Sequence, residues 1–497
     1  MLSRDILQIL IELSHFPNSF LVGGGVRDLL LGRKLKDLDF LLPNLDQVLK
    51  SVASFKSFTK VILNDKNGHF CYRFVFSQDT ADINSADPGF KHADDRFWLD
   101  LVEFQSDNLI NELAKRDFTI NAIALPLKPL IMYFRDDILF SELKENIIDP
   151  YRGTRDLENR MLRAVSKTIF QDDPLRLWRM WRFAAELGFI PTIELIELAS
   201  DNIDLCSHIS GERIRGELFA LLQQPDSAEY IISAANTGLL ENQFPALSSL
   251  KHCFQDKHHY QDVWDHSFQA LKELENILCN LSDYFTEGVY RNTIEEWLAI
   301  RNNLAILKLS ALFHDIGKPQ VKVRLADGRV HFYNHEKAGL PKIDAISDRL
   351  RLSRKDSDLL LFLVSRHLQI HRIIKGATWR TKARFWKNHG KDVIGLILLA
   401  SADLLAKRKT SCLANEIESY FATYIPEVFG IWLSKIKDHN RIKPLLDGWE
   451  IMDTFGLLTG KQVGFIKEAV LIAQLEGTIT TKSEAVKYAA SLLDKRD

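Results

Sequence analysis

The stretch 20–40, FLVGGGVRDLLLGRKLKDLDF, admits few folds. An apolar strand runs into three glycines, a short helix carries Arg27 and Asp28, and a second strand carries Asp37 and Asp39. Gly23, Gly24 and Gly25 let backbone N–H groups approach an anion without Cβ interference, and the helix after them points its positive end the same way. Gly32 is a natural helix stop. In Lys36-Asp37-Leu38-Asp39-Phe40 the strand period of two puts both carboxylates on one face and Leu38 and Phe40 on the other. Two close carboxylates repel unless a cation sits between them, which suits Mg²⁺ beside a phosphate cradle. A glycine-rich turn alone would serve equally as a β-turn-α-β packing unit with its aspartates on a solvated edge. Neither a G-x-G-x-x-G fingerprint nor a Walker loop is present.

The joint pattern of glycines, Arg27-Asp28, helix stop and Asp37-x-Asp39 is more specific. It resembles the signature of the class II tRNA nucleotidyltransferase and poly(A) polymerase family, within the polymerase β superfamily. That resemblance implies that Asp37 and Asp39 are catalytic and hold Mg²⁺, and that Gly24, Gly25 and Arg27 hold a nucleoside triphosphate. Phe97 to Val102 reads as a strand in which Asp100 alternates with apolar neighbours. Two Mg²⁺ ions require more anionic ligands than one DxD supplies, and the family carries an acidic residue on the corresponding strand. Asp100 is therefore the third catalytic candidate, with Glu103 a weaker substitute on the opposite face.

Residues 115–122, KRDFTINA, are similar to the family's RRDFTINA segment, with Lys115 in place of the first arginine. The resemblance makes Arg116 a nucleotide contact and leaves Thr119 and Asn121 with structural work. An ion pair with Asp117 is the alternative for Arg116. Further on, Asp172-Asp173-Pro174 introduces an arginine-rich helix interleaved with Trp178, Trp181 and Phe183. Pro174 suits a first helical turn with an acidic cap ahead of it. Asp173, Arg176 and Arg179 then share roughly one face, where an aspartate and an arginine together can read the Watson–Crick edge of a base. This looks like the family's E-D-x-x-R motif, with Asp172 in place of its leading glutamate, and Arg179 also matches a family nucleotide contact. Capping and intrahelical ion pairs remain compatible with the same residues. Residues 210–220, SGERIRGELFA, again look like the family's neck segment.

A second constellation lies beyond residue 250. His266, the contiguous His314-Asp315-Ile316-Gly317-Lys318 and Asp403 have the order and rough spacing of an HD domain, whose ligands converge from separate helices on a divalent metal. Mixed imidazole and carboxylate donors suit Mn²⁺, Fe²⁺, Co²⁺ or Ni²⁺ better than Mg²⁺. His335 and His367 are candidates for a second ion. Residues 280–303 read as an insertion, and 410–497 read as helical with no chemical motif. Lys435, Lys437, Arg441 and Lys443 form a modest basic cluster there, either a solvated surface or a contact for an RNA backbone.

At 497 residues the chain is too long for one core. The expected organisation is a polymerase β-like α/β nucleotidyltransferase head (1–150), a helical neck (151–245), an HD domain (246–410) and a helical C-terminal region (411–497). The net charge of -2 means that a nucleic-acid partner would be held by local basic patches. Five cysteines, at 71, 206, 253, 279 and 412, form no Cys-x-x-Cys pair, which argues against a disulfide framework and a zinc ribbon. Asp5 and Glu12 interrupt the first apolar stretch, against a signal peptide, and the apolar run at 393–400 is too short to span a bilayer. A cytoplasmic protein without a membrane partner is expected; the sequence is silent on oligomeric state.

The resulting expectation is a template-independent nucleotidyltransferase that builds or repairs the 3′-terminal CCA of tRNA from CTP and ATP. It would use Mg²⁺ in the head and a transition metal such as Ni²⁺ or Mn²⁺ in the HD domain. Three rivals stand beside it: an enzyme adding only CC or only A, a bacterial poly(A) polymerase, and a metal phosphohydrolase whose head only binds RNA. Residues 61–75 lack the basic Gly-Arg-Arg-Phe type of segment associated with the polymerases, and the intact DxD argues against the hydrolase.

Overall fold

A computed structural model describes residues 3–35, 37–55, 58–64, 70–76, 97–104, 106, 108–254, 262–327, 329–407, 414–433, 444–476 and 478–493. Lys36, the polar stretch 78–96, and the basic residues Lys435, Lys437, Arg441 and Lys443 lie outside the described residues. The chain divides into two compact units, one of residues 1–209 with 236–242, the other of residues 210–235 with 243–497.

The first unit is built on a six-stranded sheet. Its strands are β1 (Phe20–Val22), β2 (Asp37–Leu42), β3 (Thr59–Asn64), β4 (Phe70–Phe76), β5 (Phe97–Glu103) and β6 (Ala124–Pro126), in the order β3-β4-β5-β2-β1-β6. Alternation decides which face each side chain takes. Leu38, Phe40, Phe74, Leu99 and Leu101 are buried on the core face, so Asp37, Asp39 and Asp100 point the other way. Helix α1 (Arg4–Ser14) buries Ile6, Ile9, Leu10 and Leu13, an amphipathic stripe at helical spacing. Ser3 caps it by accepting from the Ile6 N–H.

Helix α2 (Gly24–Leu30) starts earlier than the glycine run suggests. Only Gly23, at φ 72°, is a true turn residue, and Gly24 and Gly25 already belong to the helix. Gly25 serves packing: a Cβ there would press on Leu21 and Leu38, at 3.0 and 2.9 Å. The helix ends at Gly32, φ 66°, where the Arg33 N–H donates to the Asp28 carbonyl and the Gly32 N–H to that of Leu29. This paired closure is what a left-handed glycine after a helix permits. Helix α3 (Leu45–Val52) receives a carboxylate at its start, since the Leu45 N–H donates to Glu103.

The second unit is helical, with a small hairpin of Lys322–Arg324 and Val330–Phe332. Its centre is the helix Val393–Ala406, in which every residue is buried. The apolar run at 393–400 is thus part of a core helix, and no described helix is long and apolar enough to cross a membrane. Lys308, 1% exposed, donates to Glu275, Ser227 and the Gln224 carbonyl. This buried pair is tolerated because every strong donor and acceptor around it has a partner. At the C-terminal end, helices Gly448–Phe455, Lys461–Glu476 and Lys482–Leu493 pack around Ile451, Ile466, Val470 and Ala485.

Candidate active sites

In the first unit, strand pairing assembles a polar row. Strands β2 and β5 run parallel with Asp39 directly beside Asp100 and Asp37 beside Trp98. On the other side of β5, Arg73 of β4 stands opposite Asp100. Residues some distance apart in sequence therefore become neighbours through register alone. Burial raises the pKa of Asp39; nearby Arg116 lowers it, but Asp100 and Asp37 add to the rise. Burial likewise raises Asp37, with Asp28 adding to the rise. Burial, then Asp100 and Asp39, push the neighbouring Cys71 thiol up to about 12. Such a cluster of hard oxygen donors in a negative, partly desolvated face fits a divalent cation.

The row opens into a cleft of about 720 Å³, within the range of small-molecule pockets. Gly24, Arg27, Arg116, Asp173, Arg176 and Arg179 line it together with the three carboxylates. Gly23 brings the backbone close to Arg116: a Cβ on this glycine would collide with the guanidinium. Its left-handed backbone already favours glycine. The Gly24, Gly25 and Val26 N–H groups begin α2 and have no acceptor within the helix.

Several cationic residues of the cleft are held in place by others. Arg27, 5% exposed, binds both oxygens of Asp28 and donates to Asn121 Oδ1 at 2.9 Å. Asn121 in turn donates to Asp117 Oδ1, and Arg179 donates twice to Asp117 Oδ2, at 2.9 and 2.7 Å. Arg176 donates to the backbone carbonyls of Lys115 and Ile169. Asp173 accepts from the Leu175 N–H and so caps the turn leading into the helix Arg176–Leu187. Asp117 thus pairs with Arg179, while Arg116 lies against Gly23.

The second unit gathers six donors in two groups: His266, His314 and Asp403 form one, and Asp315, His335 and His367 the other. They come from the helix Val263–Cys279, the end of Asn303–Phe313, the turn His335–Ala338, and the helices Arg354–Gly376 and Val393–Ala406. Gly317 allows the close approach of two of these segments, because a Cβ there would strike the His335 carbonyl and the Gly339 N–H.

Three of the imidazoles are oriented alike. His314, His335 and His367 each put Nδ1 on the carbonyl three residues back, at 2.9, 2.9 and 2.7 Å. That contact makes Nδ1 the protonated nitrogen and turns the Nε2 lone pair inward. Asp315 places Oδ2 3.2 Å from His314 and Oδ1 3.0 Å from His335. His266 Nε2 lies 3.0 Å from Asp403 Oδ1. The buried Nε2 of His314 has no well-formed hydrogen bond and faces only the Asp315 and Asp403 carboxylates, at 3.2 and 3.7 Å, an arrangement that a cation between them completes. The residues present therefore fit a divalent metal in each group.

Electrostatics agree with a preformed site. Burial opposes ionisation of Asp315, but His314 and Lys318 outweigh it and hold its carboxyl well below the usual range. Burial also opposes ionisation of Asp403, and Lys407 outweighs it. Burial drives His367 down to about 3, which keeps it neutral and available as a ligand. For His314 burial acts downwards, yet Asp315 pushes it up to about 10.

Residues 19–163 match the poly A polymerase head domain, 188–251 the probable RNA and SrmB-binding site of polymerase A, and 263–407 the HD domain. The chain belongs to the tRNA nucleotidyltransferase and poly(A) polymerase family. It is a nucleotidyltransferase with an HD domain. It is 28% identical to the A-adding tRNA nucleotidyltransferase of Deinococcus radiodurans, with 94% of each chain covered. Identity to the CC-adding enzyme of Thermus thermophilus is also 28%, covering 94% of this chain and 92% of that one. The multifunctional CCA protein of Haemophilus influenzae is 29% identical, over 71% of this chain and 75% of its own. Among solved structures, the Thermotoga maritima CCA-adding enzyme complexed with tRNA-CCA superposes with a TM-score of 0.61 at 19% identity. That superposition covers 99% of this chain and 96% of the other.

Within the first unit, the cleft brings together Asp37, Asp39, Asp100, Gly24, Arg27, Arg116, Asp173, Arg176 and Arg179, while Gly25 packs against Leu21 and Leu38. The HD domain brings together His266, His314, Asp315 and Asp403, with His335 and His367 beside them. Sequence reasoning missed Arg73 and Asp117 in the head. In the HD domain it missed His371, whose Nε2 is 3.4 Å from Asp403 Oδ2, and Lys407, 2.8 Å from the same oxygen. The spacing of His367 and His371 by one helical turn was the available signal for His371.

Proposed function

We propose that this nucleotidyltransferase adds nucleotides to the 3′ end of tRNA without a template, building or repairing CCA from CTP and ATP and releasing pyrophosphate. The observation that carries this is the single cleft in which Asp37, Asp39 and Asp100 face the helix start bearing Asp173, Arg176 and Arg179. The functional division proposed is a head at 1–150, a neck at 151–245, an HD domain at 246–410 and a helical end at 411–497. A cytoplasmic location follows from the substrate.

Asp37 and Asp39, with Asp100, would hold Mg²⁺ in the head. Bound there, Mg²⁺ supplies acidification of the RNA 3′-hydroxyl and neutralisation of charge on the phosphates. The chain's own groups do the rest. The N–H groups at the start of α2 and Arg116 hold the triphosphate, with Arg27 keeping α2 in place through Asn121. Asp173 accepts from an exocyclic amino group, and Arg176 and Arg179 donate to ring nitrogen or carbonyl, so that protein side chains choose the base. Positions already fixed by Asp117 and by backbone carbonyls cost little to reorganise when the nucleotide arrives. In the HD domain, His266, His314, Asp315 and Asp403 would hold a transition metal such as Ni²⁺ or Mn²⁺, and His335 and His367 would serve a second ion together with Asp315, which the geometry groups with them. The associated activity is hydrolysis of phosphoesters.

A second reading has its own support. The A-adding and CC-adding relatives align over 94% of this chain, and the multifunctional CCA protein over 71%. An enzyme adding only A or only CC is therefore the alternative. One experiment separates these readings: tRNAs ending before CCA, after C and after CC are incubated with CTP, ATP or both. Extension of all three to a complete CCA supports the first reading. Arrest after CC, or extension only of the tRNA ending in CC, selects the second. Long adenosine tails would overturn both.

A further inference from the structure

Arg73 and Asp100 form an unusual element of the head. They stand directly opposite one another across β4 and β5. The guanidinium takes both carboxylate oxygens, Nε to Oδ1 at 2.8 Å and Nη2 to Oδ2 at 2.7 Å. The row across the sheet reads Val22, Asp39, Asp100, Arg73, Val61. Asp100 is thus flanked by a like charge on one side and an opposite charge on the other. A fork-on-fork contact of this kind occupies the same lone pairs that a cation would use. Asp100 is consequently committed to Arg73, although its register position beside Asp39 suits it as a ligand.

Arg73 itself is less confined. Its side chain is 35% exposed, against 14% for Asp100, and it belongs to the cleft lining. Its guanidinium carbon lies 5.3 Å from the Trp98 ring centre, a second favourable seat beside the carboxylate. It is thus a partly exposed cation that lines the cleft beside the three carboxylates.

We propose that Arg73 is a positioning residue that holds Asp100 neutralised in the nucleotide-free head and exchanges it for the phosphates of an incoming nucleoside triphosphate. The inference rests on the reading of Asp37, Asp39 and Asp100 as the ligand face. The exchange leaves Arg73 paired throughout, first with a carboxylate and then with phosphate oxygens. It frees Asp100 only when a nucleotide is present, which ties completion of the ligand face to substrate. A nucleotide-free cleft is then spared the full repulsion of Asp39 and Asp100.

The test is Mn²⁺ binding to the full-length chain, read from the free-ion EPR signal, for wild type, Arg73→Met, Asp100→Asn and the double variant. HD-domain ions contribute equally to all four and cancel. Without nucleotide, Arg73→Met should bind Mn²⁺ at least about tenfold more tightly than wild type, the low end of what one charge-assisted hydrogen bond contributes. That gain should vanish in the Asp100→Asn background and shrink when a non-reactive CTP or ATP analogue is added. In single-turnover incorporation at saturating Mn²⁺, Arg73→Met should raise the nucleotide KM by a larger factor than it lowers the maximal rate. Should Arg73→Met lose the wild-type circular dichroism, Arg73→Lys, which keeps the charge but not the fork, should give an intermediate gain. Superimposable isotherms for wild type and the folded Arg73 variant would overturn the proposal. If instead Asp37→Ala leaves Mn²⁺ binding unaltered in every background, the reading of the ligand face fails, a separate result.

Discussion

Arg179 places two N–H groups on Asp117 Oδ2, at 2.9 and 2.7 Å, and Asp117 spends its other oxygen on Asn121 and the Phe118 N–H. Through Asn121 the chain of contacts continues to Arg27 and α2. One buried carboxylate therefore links the phosphate end of the cleft to the base-reading end. Asp117→Asn should lower kcat/KM for nucleotide by about tenfold to a hundredfold and destabilise the head by about 1–3 kcal/mol, since the half-buried Arg179 loses a charged partner. Urea titration and steady-state incorporation check both.

The same residue sets a pH expectation. Burial raises the Asp117 pKa, but Arg179 and the hydrogen bonds outweigh it, so its folded value lies below that of the unfolded chain. Its contribution to stability is full above the unfolded value and is lost as pH falls through the folded one. Wild type should lose urea resistance between neutrality and strongly acid pH more steeply than Asp117→Asn. Parallel curves would dismiss Asp117 as a source of acid sensitivity.

Asp37→Ala and Asp39→Ala should each cut incorporation by at least about a thousandfold, the scale on which loss of a central catalytic group is felt. RNA affinity should change little. Gel-shift and primer-extension assays on the same preparations check this, and full incorporation by either variant would sink the mechanism.

Gly23→Ala combines a positive φ with a collision against Arg116. A cost of about 1–3 kcal/mol is expected from the backbone alone. Because Arg116 must move, nucleotide KM should rise as well. A thermal melt and a nucleotide titration distinguish this from simple destabilisation.

In the HD domain, His314→Ala should abolish Ni²⁺- or Mn²⁺-dependent phosphodiesterase activity and lower the bound metal measured by elemental analysis. Incorporation by the head should persist. Loss of both activities in a folded variant would show that the two sites are not independent.

How much of this was legible in the sequence depended on whether the cause was local. Alternation at 37–42 and 97–103 exposed the faces of β2 and β5, and Gly32 announced the helix stop. The extent of α2 was less visible, because a glycine triplet reads as loop although Gly24 and Gly25 meet the helix geometry and Gly25 fills a tight packing position. Arg73 was invisible for another reason. Its meaning comes from the strand order β4-β5-β2, a non-local pairing that local pattern does not reveal. Sequence adjacency offered Asp117 only as the alternative partner of Arg116, while the fold gives it to Arg179 on a distant helix.

Asp315 turns one carboxylate oxygen toward His314 and the other toward His335. A single side chain so shared makes occupancy of one group of donors change the charge and aim offered to the other. Metal uptake by the HD domain should then depart from two independent isotherms, and the departure should disappear when Asp315 is replaced, so that the two groups load as one coupled unit.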